Sequence, residues 1–333
     1  MSNFSELSEQ EIIRRNSMSE LRAMGIDPYP ASEFDTNAFS TDIKKEFTDD
    51  APVRTVRIAG RLMSRRVMGK ASFAELQDSR GRIQLYITRD DICPDENKDL
   101  YNVVFKKLLD LGDFIGIEGF VFRTQMGEIS VHAQKLTVLA KSIKPLPIVK
   151  YKDGVAYDAF EDPEQRYRQR YVDLVVNGGI KEIFSKRTKI YNSMRDYFNA
   201  NGYVEVETPI LQIIPGGAAA RPFITHHNAL DIPLYLRIAD ELYLKRLIVG
   251  GFEGVYEFSK NFRNEGMDRT HNPEFTCMEI YVAYKDYNWM MQFTEQMIEK
   301  ICMDVNGTTE IKVGDNLINL KAPYKRVTML DSI

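Results

Sequence analysis

The residues best suited to chemistry lie in two strand-like runs between Gly251 and Tyr284. In the first run side chains alternate with a period of two, so one face carries polar groups and the other carries aromatic rings. The polar face begins at Val255 and carries Glu257, Ser259, Asn261 and Arg263. A guanidinium can bridge two phosphate oxygens and stabilise negative charge that develops in a transition state. Arg263 is therefore the first candidate for a catalytic residue.

The second run alternates in the same way and ends near Val282. One face holds Phe275, Cys277, Glu279 and Tyr281, and the other holds Met278, Ile280 and Val282. The connection Asn264–Asn272 is polar and is followed by Pro273, a composition typical of a turn. The pattern predicts an antiparallel hairpin with Arg263 and Glu265 at its mouth, one face in the core and the other toward a ligand.

Five longer sequence words resemble a known family. FRNEG at Phe262–Gly266 and HNPEF at His271–Phe275 resemble the second signature motif of class II aminoacyl-tRNA synthetases. The other three resemble the lysine-specific bacterial members, and they are PGGAAARPF at Pro215–Phe223, THHNALD at Thr225–Asp231 and RIADELYLKR at Arg237–Arg246. Ordered words of this length are more specific than one short motif. The resemblance runs from Val53 to the end and is weaker over the first fifty residues.

The resemblance implies ATP-dependent activation of L-lysine to lysyl-adenylate, with Mg²⁺, and transfer of lysine to tRNA(Lys). In such a reaction the substrate carboxylate attacks the α-phosphate, so the protein supplies positions and charge rather than a nucleophile. The sequence accordingly contains no Gly-x-Ser-x-Gly, no Gly-rich Lys-Ser/Thr loop and no His-Glu-x-x-His.

The resemblance also assigns the site residues. It gives ATP binding to Arg263, Glu265, His271, Asn272 and Phe275, with Phe275 stacked on the adenine. It gives lysine binding to Gly217, Glu241, Arg263, Glu279 and Tyr281, and Gly216 belongs to the same glycine loop. Two carboxylates suit a substrate with two ammonium groups, because a buried charge needs a partner. Each residue alone is also compatible with an ordinary structural role. One departure is Asp240, where relatives commonly have proline; it is predicted to cap a helix that ends at Val249.

The preceding domain reads as an OB-fold. The sequence predicts five strands, at Val53–Met63, Ser72–Asp78, Ile83–Thr88, Asp113–Phe122 and Ile129–Leu139, with a helical stretch at Asp99–Leu111. Phe73 and Gln84 lie in these strands, where an aromatic ring can stack on a base and an amide can pair with its edge. The resemblance assigns them, with Arg61, to the anticodon and its central uridine; the alternative is a core phenylalanine and a solvated glutamine.

Charge is distributed unevenly. The net charge is −4, yet Val53–Arg89 carries nine basic residues against Glu75 and Asp78, whereas the first fifty residues carry eleven acids against five bases. This pattern predicts a local cationic surface on the OB-fold. Three scattered cysteines favour free thiols, and without an apolar leader or membrane-length stretch we expect a cytoplasmic protein.

The expected fold class is α+β: an OB-fold β-barrel followed by part of a class II antiparallel sheet flanked by helices. The expected segments are a helical leader at 1–50, the anticodon-binding domain at 51–142, a linker at 143–165 and the catalytic core at 166–333. A predicted helix at Ile180–Phe198, then Gly202 and a strand at Tyr203–Glu207, resembles the first class II motif. That motif implies a homodimer through Ile180–Leu211.

The third class II motif and the magnesium carboxylates are not found before Ile333, so no metal site is expected within this chain. Thr328–Asp331 matches a helix-starting capping box at the last residues, and we therefore expect a chain that continues in nature and is inactive alone. A non-catalytic tRNA-binding module or paralogue is the alternative. An aspartyl or asparaginyl enzyme should lack the lysine-type words, and a lysine ligase that modifies a translation factor should lack the OB-fold.

Overall fold

The computed structural model describes residues 7–147, 150–152, 155–157 and 159–333. The chain forms two compact units; the first ends at Asn177 and the second begins at Gly178. Parts of the expected leader and linker, at 1–6, 148–149, 153–154 and 158, lie outside the described residues.

The first unit opens with two helices, α1 (Glu9–Ala23) and α2 (Ser40–Glu46). Ser8 and Glu11 form a capping box that starts α1, which satisfies two backbone N–H groups of the first turn. Leu21 of α1 and Ile43 of α2 are buried in the same apolar cluster as the strands that follow. The N-terminal segment is therefore part of the barrel unit.

The barrel has five strands, and their alternating burial places every second side chain in its core. They are β1 (Thr55–Met68), β2 (Ala71–Gln77), β3 (Arg82–Thr88), β4 (Phe114–Arg123) and β5 (Ile129–Ala140). The sheet closes in the order β1-β2-β3-β5-β4. The short helix α3 (Arg89–Ile92) and a π-helical segment, Leu100–Leu108, separate β3 from β4. The predicted OB-fold is confirmed, and its helical stretch takes the wider π-helical form.

Two strands and two short helices complete the first unit: β6 (Lys150–Lys152), β7 (Val155–Tyr157), α4 (Pro163–Arg168) and α5 (Arg170–Val176). Buried Asp173 accepts from Arg166 Nε at 2.8 Å, and Asn177 Nδ2 donates to the Phe160 carbonyl at 2.9 Å. These contacts join α4 and α5 to each other and to the preceding chain. Residues 166–177 lie in the first compact unit, and the expected catalytic core at 166–333 stays a prediction.

The second unit contains three helices and eight strands among its described residues. The helices are α6 (Ile180–Ala200), α7 (Glu241–Val249) and α8 (Tyr287–Asn306). The strands are β8 (Val204–Glu205), β9 (Leu211–Gln212), β10 (Ile224–His227), β11 (Ile232–Leu236), β12 (Gly254–Phe262), β13 (Glu274–Val282), β14 (Glu310–Val313) and β15 (Asn316–Asn319). A 3₁₀ turn at Leu330–Ser332 follows, and Thr328 Oγ1 accepts from the Asp331 N–H at 3.1 Å.

The central sheet of this unit has the order β13-β12-β8. β12 and β13 are antiparallel, whereas β8 pairs with β12 in parallel, so the expected purely antiparallel sheet is mixed. The chain crosses through β9–β11 and α7 between β8 and β12, and this crossover returns it in the same direction. Phe198 of α6 and Phe293 of α8 pack with Tyr256 on one face of the sheet. The α+β class is confirmed.

No helix in the described parts of the chain combines the length and the apolar character needed to cross a membrane.

Candidate functional site

The predicted hairpin is confirmed as β12 and β13. Their register places Glu257 opposite Glu279, Ser259 opposite Cys277 and Asn261 opposite Phe275. Residues opposite one another in a sheet point to the same face. The two polar faces therefore form one surface, while Phe258, Met278 and Ile280 pack against the helices behind it.

Arg263 and Phe275 lie together at the mouth of the hairpin. The guanidinium carbon of Arg263 is 5.1 Å from the centre of the Phe275 ring, within the range of a cation–π contact. Arg263 Nε donates to the Ile238 carbonyl at 3.4 Å, and its backbone N–H donates to the Pro273 carbonyl at 2.8 Å. An arginine and an aromatic ring side by side suit a nucleotide, with charge for phosphate and a flat surface for the base.

The other three predicted ATP residues lie in the loop between β12 and β13, and each contacts a neighbouring residue. Glu265 Oε1 accepts from the Arg221 N–H at 3.4 Å, which brings the PGGAAARPF segment to this loop. His271 is exposed and its Nδ1 lies 2.8 Å from Asp268 Oδ2. Asn272 Nδ2 donates to the Glu274 carbonyl at 2.6 Å. The structure does not place His271 or Asn272 in hydrogen-bond contact with Arg263 or Phe275.

Glu279 and Tyr281 form a second pair on the hairpin. Tyr281 Oη donates to Glu279 Oε2 at 2.9 Å, and both side chains are half-buried. Burial, and then the neighbouring Asp240, raises the pKa of the Glu279 carboxyl above its usual value. Burial and the bond to Glu279 also raise the pKa of the Tyr281 hydroxyl. This pair offers a cation one carboxylate and one hydroxyl in fixed positions.

Gly217 lies against Glu241, at the start of α7. Its φ of +86° is in the left-handed region that favours glycine. A Cβ at this position would lie 3.1 Å from Ala239 Cβ and 3.3 Å from Glu241 Cβ. Glu241 itself forms an ion pair with Lys245, one helical turn later. The structure thus brings together two of the predicted lysine-binding residues, and a side chain at position 217 would crowd Ala239 and Glu241.

Asp240 differs from its prediction. It occupies the N-cap position of α7 but its side chain makes no cap hydrogen bond. The carboxylate is turned inward and is 0% exposed. Asn261 Nδ2 donates to Oδ1 at 3.3 Å, and Oδ2 has no hydrogen-bond partner among the described residues. The inward position of the Asp240 carboxylate was not predicted, although the departure from the proline that the resemblance implies at this position was a signal.

Within the described residues one group of three ligand-type side chains is compact enough to hold an ion. The ligand atoms of Asp240, Cys277 and Glu279 all lie within 4.8 Å of one another. Magnesium prefers oxygen ligands and retains several waters. Burial, then Glu279, raises the pKa of the Cys277 thiol to about 11, which keeps it protonated. The group therefore does not fit Mg²⁺, and the expected magnesium carboxylates remain a prediction.

A buried ion pair holds Glu257 in place on the polar face. Arg237 Nη1 donates to Glu257 Oε1 at 2.8 Å, and Thr208 Oγ1 donates to Glu257 Oε2 at 2.6 Å. Arg237 Nε also donates to the Lys260 carbonyl at 2.8 Å. These bonds join β12 to Thr208, after β8, and to Arg237, after β11. Each oxygen of the Glu257 carboxylate accepts one of them. Sequence alternation placed Glu257 on the right face but could not reveal its partner.

The barrel carries a groove with a volume of about 1090 Å³, lined in part by Phe73, Gln84, Tyr86 and Phe122. The Phe73 and Tyr86 rings are 5.2 Å apart on neighbouring strands. Gln84 Oε1 accepts from Ser130 Oγ at 2.8 Å, which fixes the amide and leaves its nitrogen available. Adjacent aromatic rings with a fixed amide are typical of a surface that stacks and reads unpaired bases.

Arg61 is not among the residues that line this groove. Its Nη1 donates to the Gly112 carbonyl at 2.6 Å, and its guanidinium lies 4.2 Å from the centre of the Phe114 ring. Burial lowers the pKa of Arg61. Arg66, directly opposite Phe73 in the register, is exposed and does line the groove. Arg66 is one of the nine basic residues of Val53–Arg89, and only its position opposite Phe73 in the strand register distinguishes it from the others.

The cationic surface expected on the barrel is partly neutralised. Acidic side chains of the N-terminal fifty residues pair with its arginines: Glu46 with Arg54, Asp35 with Arg57 and Asp42 with Arg80. Within the barrel Glu75 pairs with Arg82. Sequence counting treats the acidic and basic segments separately, whereas the fold brings them together.

Comparison with known proteins agrees with this architecture. Residues 162–333 match the family described as tRNA synthetases class II (D, K and N), and residues 56–139 match the OB-fold nucleic acid binding domain. A lysine–tRNA ligase of Porphyromonas gingivalis is 72% identical over 333 residues, covering 99% of this chain and 58% of the relative.

Two further relatives carry the same name. Those of Azobacteroides pseudotrichonymphae and Christiangramia forsetii are 68% and 65% identical and cover 98% of this chain. The chain spans 57% to 65% of the length of these relatives. The class II match covers more than half of the residues and includes the hairpin with Arg263, Phe275 and Glu279. The chain belongs to the class II tRNA synthetases of the D, K and N group.

Proposed function

We propose that this chain provides the amino-acid pocket and the anticodon-binding domain of a lysine–tRNA ligase. The observation that carries the proposal is the half-buried Glu279, which has no salt bridge among the described residues and accepts from Tyr281. A carboxylate kept from water without a cation favours a cationic ligand. The names of the relatives, at 65% to 72% identity, support lysine as that ligand.

The proposed reaction joins lysine and ATP at the hairpin. The lysine carboxylate attacks the α-phosphate, the bond between the α- and β-phosphates breaks and pyrophosphate leaves, which yields lysyl-adenylate. Arg263 stabilises the charge that develops on the phosphate oxygens, and Phe275 stacks on the adenine. Glu265, His271 and Asn272 are proposed around the nucleotide, and Gly217, Glu241, Glu279 and Tyr281 around lysine. We propose that Mg²⁺ accompanies the ATP.

The test is equilibrium binding of L-lysine to the 333-residue chain by titration calorimetry. L-aspartate and L-asparagine, the amino acids of the other enzymes in the D, K and N group, are titrated separately. We expect lysine alone to bind. Glu279→Gln should weaken lysine binding by roughly 100-fold or more, because a buried ammonium loses its charged partner. Glu253→Gln removes an equal charge from an exposed position before β12 and should change little. Aspartate binding, or an unaffected Glu279→Gln variant, would refute the lysine pocket.

For the RNA partner we propose the anticodon of tRNA(Lys). Phe73 would stack on the central uridine, Gln84 would pair with its edge and Arg66 would contact a neighbouring phosphate. The resemblance assigns Arg61 to the anticodon as well, but its guanidinium donates to the Gly112 carbonyl and lies against the Phe114 ring, so we propose that Arg61 supports the strand instead.

We also propose that the protein is a homodimer through Ile180–Leu211. Ile183 and Leu211 are 61% and 51% exposed, which is high for large apolar side chains. Apolar patches of this kind mark interaction surfaces, and symmetric dimers are the commonest assembly. Sedimentation equilibrium should show a dimer for this chain and a monomer for Ile183→Glu; a wild-type monomer would contradict the proposal.

A further inference from the structure

Asp240 is buried in a way that its own contacts do not explain. It is 0% exposed, its one hydrogen bond comes from the neutral Asn261 amide at 3.3 Å, and Oδ2 has no partner among the described residues. An ionised carboxylate in such a place is costly unless a cation or a proton accompanies it. A second acidic group, Glu279, lies within 4.8 Å of it.

The groups that face this pair come from all the elements around it. β12 contributes Asn261 and Ser259, whose buried Oγ is also without a partner among the described residues. β13 contributes Tyr281, which donates to Glu279, and Cys277, whose Sγ lies 3.8 Å from Glu279 Oε1.

The surrounding charges are otherwise engaged. α7 contributes Glu241, ion-paired with Lys245. Arg263, at the end of β12, contacts the Ile238 carbonyl and Phe275. No salt bridge to Asp240 or Glu279 is found in the described parts of the chain.

Asp240 lies beside Glu279 where water has little access, so the charged form of Glu279 is costly and the free pocket favours its protonated form. The raised pKa of Glu279, caused by burial and then by Asp240, has this direction. An arriving ammonium group changes this balance, because its positive charge favours the ionised form of Glu279. The proton on Glu279 then leaves for the solvent.

We propose that Asp240 and Glu279 form a paired-carboxylate receptor for one ammonium group of the amino-acid substrate, and that binding of this group releases the proton held by Glu279. The inference rests on the proposed function and adds Asp240 as a residue that determines specificity. One ammonium enters with its charge intact, one proton moves to the buffer, and no covalent bond to carbon changes. Tyr281 and Asn261 hold the two carboxylates in position.

The experiment is calorimetric titration of the 333-residue chain with L-lysine in two buffers of different ionisation enthalpy. The pH is set near 6, below the ammonium pKa values of lysine, with EDTA present to exclude divalent ions. The dependence of the observed enthalpy on the buffer gives the protons released per lysine bound. We expect a net release of protons in the wild type.

Asp240→Asn removes one carboxylate at almost constant shape. Glu279 then loses its acidic neighbour, so it ionises more readily and has less proton to release. We expect the proton release to fall toward zero and lysine affinity to fall roughly tenfold, the loss of one charged hydrogen bond. Glu253→Gln, the matched exposed control, should keep both values. The thermal midpoint of free Asp240→Asn should equal or exceed the wild-type value, because one buried acid is gone.

The outcomes separate the two claims. If the wild type does not bind lysine, the proposed function fails. If it binds lysine without releasing a proton, or if Asp240→Asn releases as many protons as the wild type, the receptor is wrong while the lysine pocket stands. The wild-type measurement alone decides, even if the variant does not fold.

Discussion

Glu257 and Glu279 lie directly opposite each other on the hairpin, and only Glu257 has a cation. Arg237 is 2.8 Å from Glu257, and both side chains are almost fully buried. Glu279 meets Tyr281, Cys277 and Asp240, none of which is positive. Adjacent positions of one face therefore serve different purposes: Glu257 holds the sheet to the chain after β8, and Glu279 is left for a ligand.

The stability of the free protein should depend on pH through Glu279. Its pKa in the folded state is raised above the usual 4.5, so the folded state holds the proton more tightly than the unfolded chain. This contribution is complete below pH 4.5 and is lost as the pH rises through the raised pKa. Thermal melts should show Glu279→Gln gaining stability relative to wild type across that window, whereas Glu253→Gln should keep a constant difference. A constant difference for Glu279→Gln would contradict the shift.

Removal of Arg237 should strongly destabilise the second unit. Arg237→Met leaves the Glu257 carboxylate buried without its cation, at a cost of about 3–5 kcal/mol. Urea unfolding followed by fluorescence of Trp289, the single tryptophan, reports on this unit alone. Lys300→Met breaks a pair with Asp304 on the partly exposed face of α8 and should cost less than about 1 kcal/mol. Equal losses of unfolding free energy in the two variants would show that the buried Arg237–Glu257 pair stabilises the protein no more than the exposed pair does.

Gly217→Ala should damage the pocket beyond its backbone strain. A left-handed φ costs a non-glycine residue about 1 kcal/mol, and the new Cβ would also press on Ala239 and Glu241. Gly202 has a similar φ of +82° but nothing within 4 Å of its Cβ position. Both alanine variants should therefore lose similar stability, while only Gly217→Ala should weaken lysine binding measurably. Similar lysine affinities for the two variants would remove Gly217 from the pocket.

Phe73→Ala should weaken binding of a tRNA(Lys) anticodon stem-loop by roughly 1–3 kcal/mol, the usual worth of one base stack. The expected loss of binding free energy is smaller when cytidine replaces the central uridine, because the wild type then binds the stem-loop more weakly. Fluorescence anisotropy with a labelled stem-loop measures both affinities. Phe34→Ala is the control, since Phe34 is also half-buried but lies beneath Arg57 and outside the groove. Equal effects of the two substitutions would place Phe73 among structural residues.

Much of the fold follows from local alternation. The five barrel strands and the β12–β13 hairpin repeat every second residue, and the structure differs from the predicted ends by a few positions. Faces of a strand are a local property, so Arg263, Phe275 and Glu279 were correctly expected on one surface. No element was predicted between Tyr284 and Thr328, and α8 was therefore missed, although Trp289, Phe293 and Met297 recur at the four-residue spacing of a helix.

Partners distant in the chain could not be predicted. The bond from Arg237 to Glu257 and the contact of Arg61 with Phe114 depend on how strands pair, which composition does not encode. Asp240 shows the same limit: its place before a helix predicts a cap, but the proximity of Asn261 turns it inward. Side-chain direction at an element boundary is decided by tertiary packing.

The acidic N-terminal segment changes what kind of RNA binder the barrel can be. Arginines that already hold Glu46, Asp35 or Asp42 must give up those partners before they contact a phosphate. Few ions would then leave the nucleic acid when the complex forms, because ion release scales with the number of phosphates newly neutralised. Affinity should fall only gently with added salt, and long unrelated RNAs should compete poorly. Discrimination would rest on bases that enter the aromatic groove rather than on the length of the polyanion.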